Sequence, residues 1–280
     1  MATVTAHTLV KNEARFVWYA AMSVVEHVDK ILLWDTGSTD TTREIITEIK
    51  KRYPKKVQTK FLGEIGANEF PAVRQKMLEA TKTDWLFVVD GDEIWWEKSI
   101  ARVRNEIDKK GGKLESLVVP TVNAVGDIYH YQEEAAGNYH LAGKVGHLAL
   151  RAVSMSIPGL SSAKPHGTWG WVDSSGKMVQ DRDKSKIKFI NAAYLHTTFL
   201  QRAGSTEAES RVPKRSQKRK HEIGISLPRD YFYPEVFFKE RPDIVPSVWE
   251  KMNTQFYLRA LVETPLRKLK RRLFTRKVGY

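Results

Sequence analysis

The chain has 280 residues, enough to bury a full core as one large α/β domain with an appendage. It contains no cysteine, which excludes disulfides, thiolate metal sites and cysteine nucleophiles together and leaves oxygen and imidazole to hold any metal. Lys plus Arg outnumber Asp plus Glu by 46 to 33, a formal charge of +13 that favours anionic partners: phosphorylated substrates, nucleic acid or anionic lipid. No secretory signal opens the chain and no apolar run nears the roughly 20 residues of a transmembrane helix, so a cytoplasmic protein is expected, with the inner face of the membrane as a peripheral location.

Thr3 to Val10 alternates loosely, is β-rich, and reads as a first strand ending at Lys11, Asn12 and Glu13. Phe16, Val17, Ala20, Val24 and Val28 then recur at helical spacing. Lys30 to Trp34 is a second buried strand that stops on Asp35, and the turn through Gly37 leads to a helix over Thr41 to Lys51, with Ser38 or Asp40 as its N-cap. Val57 to Leu62 is a third strand, and Glu69 to Ala80 a helix carrying Arg74. Trp85 to Val89 is an apolar run of strand length that stops on Asp90, Asp92 and Glu93 around Gly91.

Alternating strands and helices make a parallel sheet with crossover helices, so Asp35 and Asp90 fall at one, C-terminal, edge of it. Open α/β sheets bind their ligands there. Carboxylates so placed suit Mg²⁺ or Mn²⁺, which take one or two carboxylates and complete their shell with substrate phosphates. Gly91 is expected to turn the backbone so that the flanking side chains converge. The plain alternative is an acidic turn at the start of the helix near Glu97. Neither a G-x-G-x-x-G nor a G-x-x-x-x-G-K-[ST] follows a strand, which excludes a dinucleotide-binding fingerprint and a P-loop.

A helix near Lys98 to Lys109 ends at the Gly111-Gly112 break, and Leu114 to Val122, Ile128 to Tyr131 and Val145 to Val153 read as an antiparallel or mixed extension. Gly159 to Lys177 has no period and reads as a long ordered loop bearing His166, Trp169, Trp171 and Asp173. Ile187 to Leu195 returns as a strand ending at His196. From Glu207 the chain is helical or irregular, with basic runs over Arg211 to His221 and Pro265 to Tyr280.

Three spaced motifs then agree: Lys11-Asn12-Glu13 after the first strand, Asp35 to Asp40 after the second, and Phe70 to Glu93 with its Arg74 and Asp90-Gly91-Asp92-Glu93. Together they resemble glycosyltransferase family 2, the inverting nucleotide-sugar transferases of the Rossmann-like GT-A fold, over about the first 110 residues. The resemblance implies an α/β fold: a mostly parallel sheet with flanking helices, an antiparallel or mixed extension and a helical C-terminal tail. It implies a donor-binding half over residues 1–110, an acceptor-binding half of the same domain over 111–205, and a basic extension over 206–280. Lys11, Asn12, Glu13, Asp35, Arg74 and Asp90 become donor-binding positions, Asp35 by the nucleoside and Asp90 with Asp92 binding the diphosphate through Mn²⁺ or Mg²⁺. In the branch acting on lipopolysaccharide-core and similar acceptors, a Val-His-Glu and a later His are common; here Pro165-His166-Gly167 and Tyr194-Leu195-His196 stand in those places.

The chemistry asks for the same parts. Charge builds on the leaving diphosphate, which a metal and cations stabilise, and the acceptor hydroxyl must lose a proton to a base on the opposite face. Asp92 and His196 are the metal candidates; Asp173, then His166, are the candidates for the base, a carboxylate being usual in inverting members. Trp95, Trp96, Trp169 and Trp171 are read as core or as sugar-stacking platforms, the latter slightly preferred. The expected partners are a nucleoside-diphosphate sugar, UDP-sugars first, and a glycan or lipid-linked acceptor. Two other functions compete. A nucleotidyltransferase would want a glycine-rich basic loop after the first strand, and a nucleic-acid binder would interleave aromatics with the basic runs; both features are missing, so no nucleic acid is expected. Val262, Leu266, Leu269 and Leu273 share a helical face amid Arg267, Lys268, Lys270, Arg271, Arg272, Arg276 and Lys277, the pattern of a helix on an anionic membrane or, equally, of one packed on the domain.

Overall fold

A computed structural model describes residues 1–165, 168–212, 215 and 220–273. Four strands form a parallel block: β1 (Val4–Val10), β2 (Lys30–Thr36), β3 (Val57–Leu62) and β4 (Trp85–Val88), in spatial order β3-β2-β1-β4. β1 is buried along its whole length because it lies between two neighbours and under helices on both faces, whereas β3, at the edge, carries exposed polar residues. The crossovers are helices: α1 (Val17–Val24), α2 (Thr42–Arg52) and α3 (Phe70–Ala80). α2 buries the stripe Ile45, Ile46 and Ile49 and leaves its Lys50, Lys51 and Arg52 end toward water, where cations suit a helix C-terminus.

After β4 come β5 (Glu93–Trp95), α4 (Glu97–Lys110), β6 (Ser116–Val125), β7 (Asp127–Tyr131), β8 (Tyr139–Leu141), β9 (Lys144–Gly146) and β10 (Leu148–Ser154). β10 is antiparallel to both β4 and β6, so the sheet changes direction there. The remaining elements are β11 (Ser161–Ala163), β12 (Gly170–Val172), β13 (Ile187–Phe189), β14 (Tyr194–His196), α5 (Thr206–Ser210), β15 (Ile225–Ser226) and α6 (Thr254–Leu273). β13 and β14 run parallel to β6, and β14 also pairs antiparallel with β5; among the described residues the main sheet has 11 strands. This is the mostly parallel α/β sheet with a mixed extension and a C-terminal helix that the GT-A resemblance implies.

Three local expectations are corrected. The turn after β4 leads into β5 before α4 begins, and Trp95 on it is sealed in the core between Phe87 and Tyr194, at ring distances of 5.0 and 4.9 Å. The segment Gly159 to Lys177 is not a loop throughout, since β11 and β12 pair as a hairpin within it. The strand expected over Ile187 to Leu195 is two short strands, because β6 is extended enough to take one partner at Ser116 to Val118 and another at Thr121 to Asn123.

α6 docks through Phe256, Ala260 and Thr264, with Thr264 Oγ1 accepting from Ile223 N at 2.8 Å and Arg271 paired to Glu222 and Glu133. Val262, Leu266, Leu269 and Leu273 lie on the opposite side and are exposed, which overturns the packed alternative for this stripe. Phe274, Arg276 and Lys277 lie outside the described residues.

Candidate active site

Three chain turns meet at the C-terminal edge of the parallel strands. Gly91 makes their approach feasible: a Cβ there would stand 2.7 Å from Val10 Cγ1 and 2.9 Å from Glu13 Cγ, so only glycine lets the turn after β4 seat on the turn after β1. Gly91 also sits in the expected sharp turn, closed by Glu93 N–H donating to Asp90 O at 3.1 Å. Gly37, at φ +83, is the other enforced glycine, in the turn after β2.

The first turn is scaffold. Asn12, at φ 53, donates its N–H to Ser38 Oγ at 2.8 Å, accepts from Thr39 N at 2.7 Å and donates its amide to Ala208 O at 2.7 Å. Glu13 accepts from Arg215 at 2.5 Å and lies 3.2 Å from Arg202; burial pushes its carboxyl up to about 7 despite both arginines. Lys11 pairs with Glu64 at 2.7 Å. The three stand at the C-terminal edge of β1, where Asn12 and Glu13 spend their polar groups on holding the turns together. Asp35 is buried and accepts from Gly37 N and Ser38 N at 3.1 Å, and burial raises its carboxyl above the usual range.

The second group is a set of interlocked charges. Arg74 from α3 donates to Asp90 Oδ1 at 2.8 Å, and Arg151 on β10 approaches Asp90 Oδ2 at 3.8 Å. Burial would raise the Asp90 carboxyl, but these two guanidiniums outweigh it and hold it below the ordinary value. Glu93, fully buried, takes a hydrogen bond from Tyr194 OH at 2.9 Å and pairs with Arg151, and burial lifts its carboxyl to about 7. Asp92 is 2% exposed; its Oδ2 pairs with Arg202 and stands 3.4 Å from His196 Nε2. The pairing of β5 with β14 sets His196 opposite Glu93, which is what brings two residues so distant in sequence together.

Beside these charges opens a cleft of about 550 Å³ whose lining includes Asn123, His147, Arg151, Trp169, Tyr194 and His196. Arg74 lies 4.9 Å under the Trp169 ring and 5.3 Å from Phe70. Trp169 and Trp171 both line the cleft, Trp171 being the more buried with its ring 6.1 Å from His7, and Trp96 is tied by its indole N–H to Phe232 O at 2.8 Å.

Asp173 is not brought to this site. It follows β12 and pairs with Arg182, which holds Glu115 at 2.7 Å just before β6, next to Ser154 and hence at the Trp85 end of β4, the opposite edge of the sheet. Ser175 and Lys177 also donate to it, and those hydrogen bonds lower its carboxyl to about 2, the reverse of what a base needs. His166 lies outside the described residues. The residues sequence reasoning missed are the counter-charges. Arg151 was detectable as a lone cation in the apolar strand Leu148 to Ser154; Arg202 carries no comparable pattern, and Arg215 hides in the basic run Arg211 to His221 although it is buried against Glu13.

Among the described residues no group of three or more His, Asp or Glu is arranged to hold a metal. The fit of a divalent ion rests on a pair. Ligands bound at about 2.1 Å on adjacent positions of an octahedral ion stand roughly 3 Å apart, and such ions keep waters and substrate phosphates in their shell rather than needing an all-protein cage. Asp92 Oδ2 and His196 Nε2, at 3.4 Å, are close to that spacing, with Arg202 on the same oxygen as the competitor an ion has to move.

The family model described as "Glycosyl transferase family 2" matches residues 6–160, and the chain belongs to that family. Among individual relatives, the prophage-derived glycosyltransferase SunS of Bacillus subtilis is 28% identical over 138 residues, 49% of this chain and 29% of that protein. A TPR repeat-containing protein of Synechococcus elongatus is 31% identical over 109 residues, 39% of this chain and 25% of the relative. The aligned part thus spans less than a third of the length of either relative. Solved structures include glucosyl-3-phosphoglycerate synthase from Mycobacterium tuberculosis in complex with Mn²⁺, UDP and phosphoglyceric acid, 16% identical with 70% of each chain covered and a TM-score of 0.46. TarS of S. aureus is 13% identical, with 70% of this chain and 37% of that one covered and a TM-score of 0.47.

Proposed function

We propose that the chain transfers a glycosyl group from a nucleoside-diphosphate sugar, a UDP-sugar in the first instance, to a hydroxyl of a glycan or lipid-linked acceptor, with inversion at the anomeric carbon. The observation that carries this reading is the meeting of Asp92 and His196 at 3.4 Å beside a 550 Å³ cleft, at the ligand-binding edge of the sheet, in a family 2 chain.

Asp92 and His196 would hold Mn²⁺ or Mg²⁺, which supplies charge neutralisation for the departing diphosphate when bound. Arg74 and Arg151 add fixed positive charge at the same place, and Asp90 between them keeps the two guanidiniums aimed and apart. Asp35, Lys11 and the turn through Gly37 line the side on which the nucleoside would sit. Trp169, held by Arg74, offers an apolar wall to a sugar. With Asp173 at the far edge, His166 is the remaining candidate for the base, four residues from Gly170 of the cleft lining.

The acceptor lies at an anionic membrane surface in this reading. No described helix is long and apolar enough to cross a membrane, but α6 exposes Leu258, Val262, Leu266, Leu269 and Leu273 on the side away from the domain, flanked by Lys268, Lys270 and Arg272. Of the five described cations of this segment Arg267 and Arg271 are committed to Glu263 and Glu222, so about three, at on the order of 1 kcal/mol each, are left to draw the helix to lipid.

Nucleoside diphosphate release from UDP- and GDP-sugars tests the activity. Release that requires Mn²⁺ and disappears in Asp92→Asn supports it; no release from any donor across glycan and lipid acceptors contradicts it.

A further inference from the structure

A hydrogen-bonded chain leads from a backbone carbonyl, through one imidazole and one amide, to His196, whose other ring nitrogen faces the Asp92 carboxylate. Its members come from separate strands: Asn123 on β6, His147 between β9 and β10, and His196 on β14, which pairs with Asn123 in the ladder. His147 Nε2 stands 3.0 Å from Glu133 O. A carbonyl only accepts, so that nitrogen carries the hydrogen. Desolvation, helped by the Lys220 and Arg271 cations, lowers the His147 pKa below its ordinary value, so the ring is neutral and its Nδ1 is an acceptor. The group facing Nδ1, at 2.8 Å, must therefore be the NH₂ of Asn123.

That choice orients the whole amide. Asn123 Oδ1 points the other way, accepting from Thr121 Oγ1 at 2.9 Å and facing His196 Nδ1 at 3.2 Å. An amide oxygen there takes the Nδ1 hydrogen, so the neutral ring, the form that can bind a metal, presents its lone pair on Nε2, the atom 3.4 Å from Asp92 Oδ2. A histidine with a purely structural role would do the opposite and donate Nε2–H to the carboxylate. Two lone-pair atoms aimed at one point are a favourable arrangement only with a cation between them.

We propose that Asn123, oriented by His147 and the Glu133 carbonyl, is a positioning residue that fixes the tautomer of His196 and so aims its Nε2 lone pair, with Asp92, at a divalent cation. This rests on the metal reading above and adds to it the residues that prepare the ligand; hydrogen-bond partners of a ligating histidine set its tautomer and orientation in this way, and losing them typically costs 10- to 100-fold in metal affinity.

The test has two arms, both on the full chain. Long-range ¹H–¹⁵N correlation spectra of ¹⁵N-histidine protein without metal, assigned with His196→Gln and His147→Gln, report the tautomers directly. The expected result is a hydrogen on Nδ1 of His196 and on Nε2 of His147; a hydrogen on Nε2 of His196 overturns the proposal. In the second arm, Mn²⁺ binding is followed by electron paramagnetic resonance. Asn123→Leu should weaken it about 10-fold or more, while Asn123→Asp, which still accepts from His196 Nδ1, should stay within about threefold of wild type. Wild-type affinity in Asn123→Leu overturns the proposal. If the wild type itself binds no Mn²⁺, the metal reading fails and the spectra alone decide the relay.

Discussion

Asp92 Oδ2 and His196 Nε2 stand 3.4 Å apart because the strand that follows the acidic turn, β5, pairs with β14 and sets His196 opposite Glu93. The acidic turn is therefore not a loop free to adjust. Its carboxylates are aimed by a ladder on one side and by Arg74, Arg151 and Arg202 on the other.

Arg74 is almost wholly buried, and its Nε and Nη1 have no partner among the described residues, so Asp90 is its counter-charge. Asp90→Asn should cost about 2 kcal/mol of stability by urea unfolding, because a buried guanidinium loses the charge it faces. Unchanged stability would show that Asp90 is spent on ligand rather than on Arg74.

Asp173 is expected to be structural. Its folded pKa, about 2, is below the ordinary carboxylate value, so the stability it contributes is present above pH ~4 and lost as pH falls toward 2. Asp173→Asn should be less stable than wild type at pH 7, with the gap closing between pH ~4 and ~2, and should transfer sugar within about twofold of wild type. A hundredfold loss of transfer with donor binding intact would restore it as the base.

The tryptophans separate by environment. Trp95→Ala should destabilise by about 3–5 kcal/mol, since it empties a core site between Phe87 and Tyr194. Trp169→Ala should do far less to stability but should raise the KM for donor or acceptor, as its ring lines the cleft and backs Arg74. Equal thermal destabilisation of the two variants would contradict this division.

The parallel block was legible because each strand is an apolar run that ends at a polar turn, and a buried parallel strand has to look so. Val4 to Val10 and Lys30 to Thr36 need no partner information to be recognised. The same logic located Asp35, Asp90 and Asp92 at one edge. It could not find β5, since Glu93 to Trp95 is too short to show a period and takes its partner from β14. Nor could it place Asp173: polar residues in an aperiodic stretch look alike whether they face a cleft or, like Asp173 with Arg182 and Glu115, close the far edge of the sheet. Buried arginines such as Arg202 and Arg215 escape because their burial depends on carboxylates far away in sequence.

α6 gives a prediction independent of the chemistry. Vesicles containing anionic lipid should carry the protein in flotation, and neutral vesicles should not. The variant that tests the stripe combines Val262→Glu with Leu266→Glu, one turn apart on the exposed side of the helix. Because neither side chain is buried, the double variant should keep wild-type thermal stability while losing flotation. Equal binding to both kinds of vesicle, or flotation that survives the substitutions, would leave this face to a protein partner.

The central claim is that Asp92 and His196 make a cation-dependent nucleotide site. Isothermal titration calorimetry of UDP and GDP, with and without Mn²⁺, on wild type and Asp92→Asn measures it most directly. Nucleotide binding to wild type should require Mn²⁺ and be lost in a folded Asp92→Asn; failure of both nucleotides to bind wild type with Mn²⁺ present, or binding that ignores the metal and the substitution, would contradict such a site.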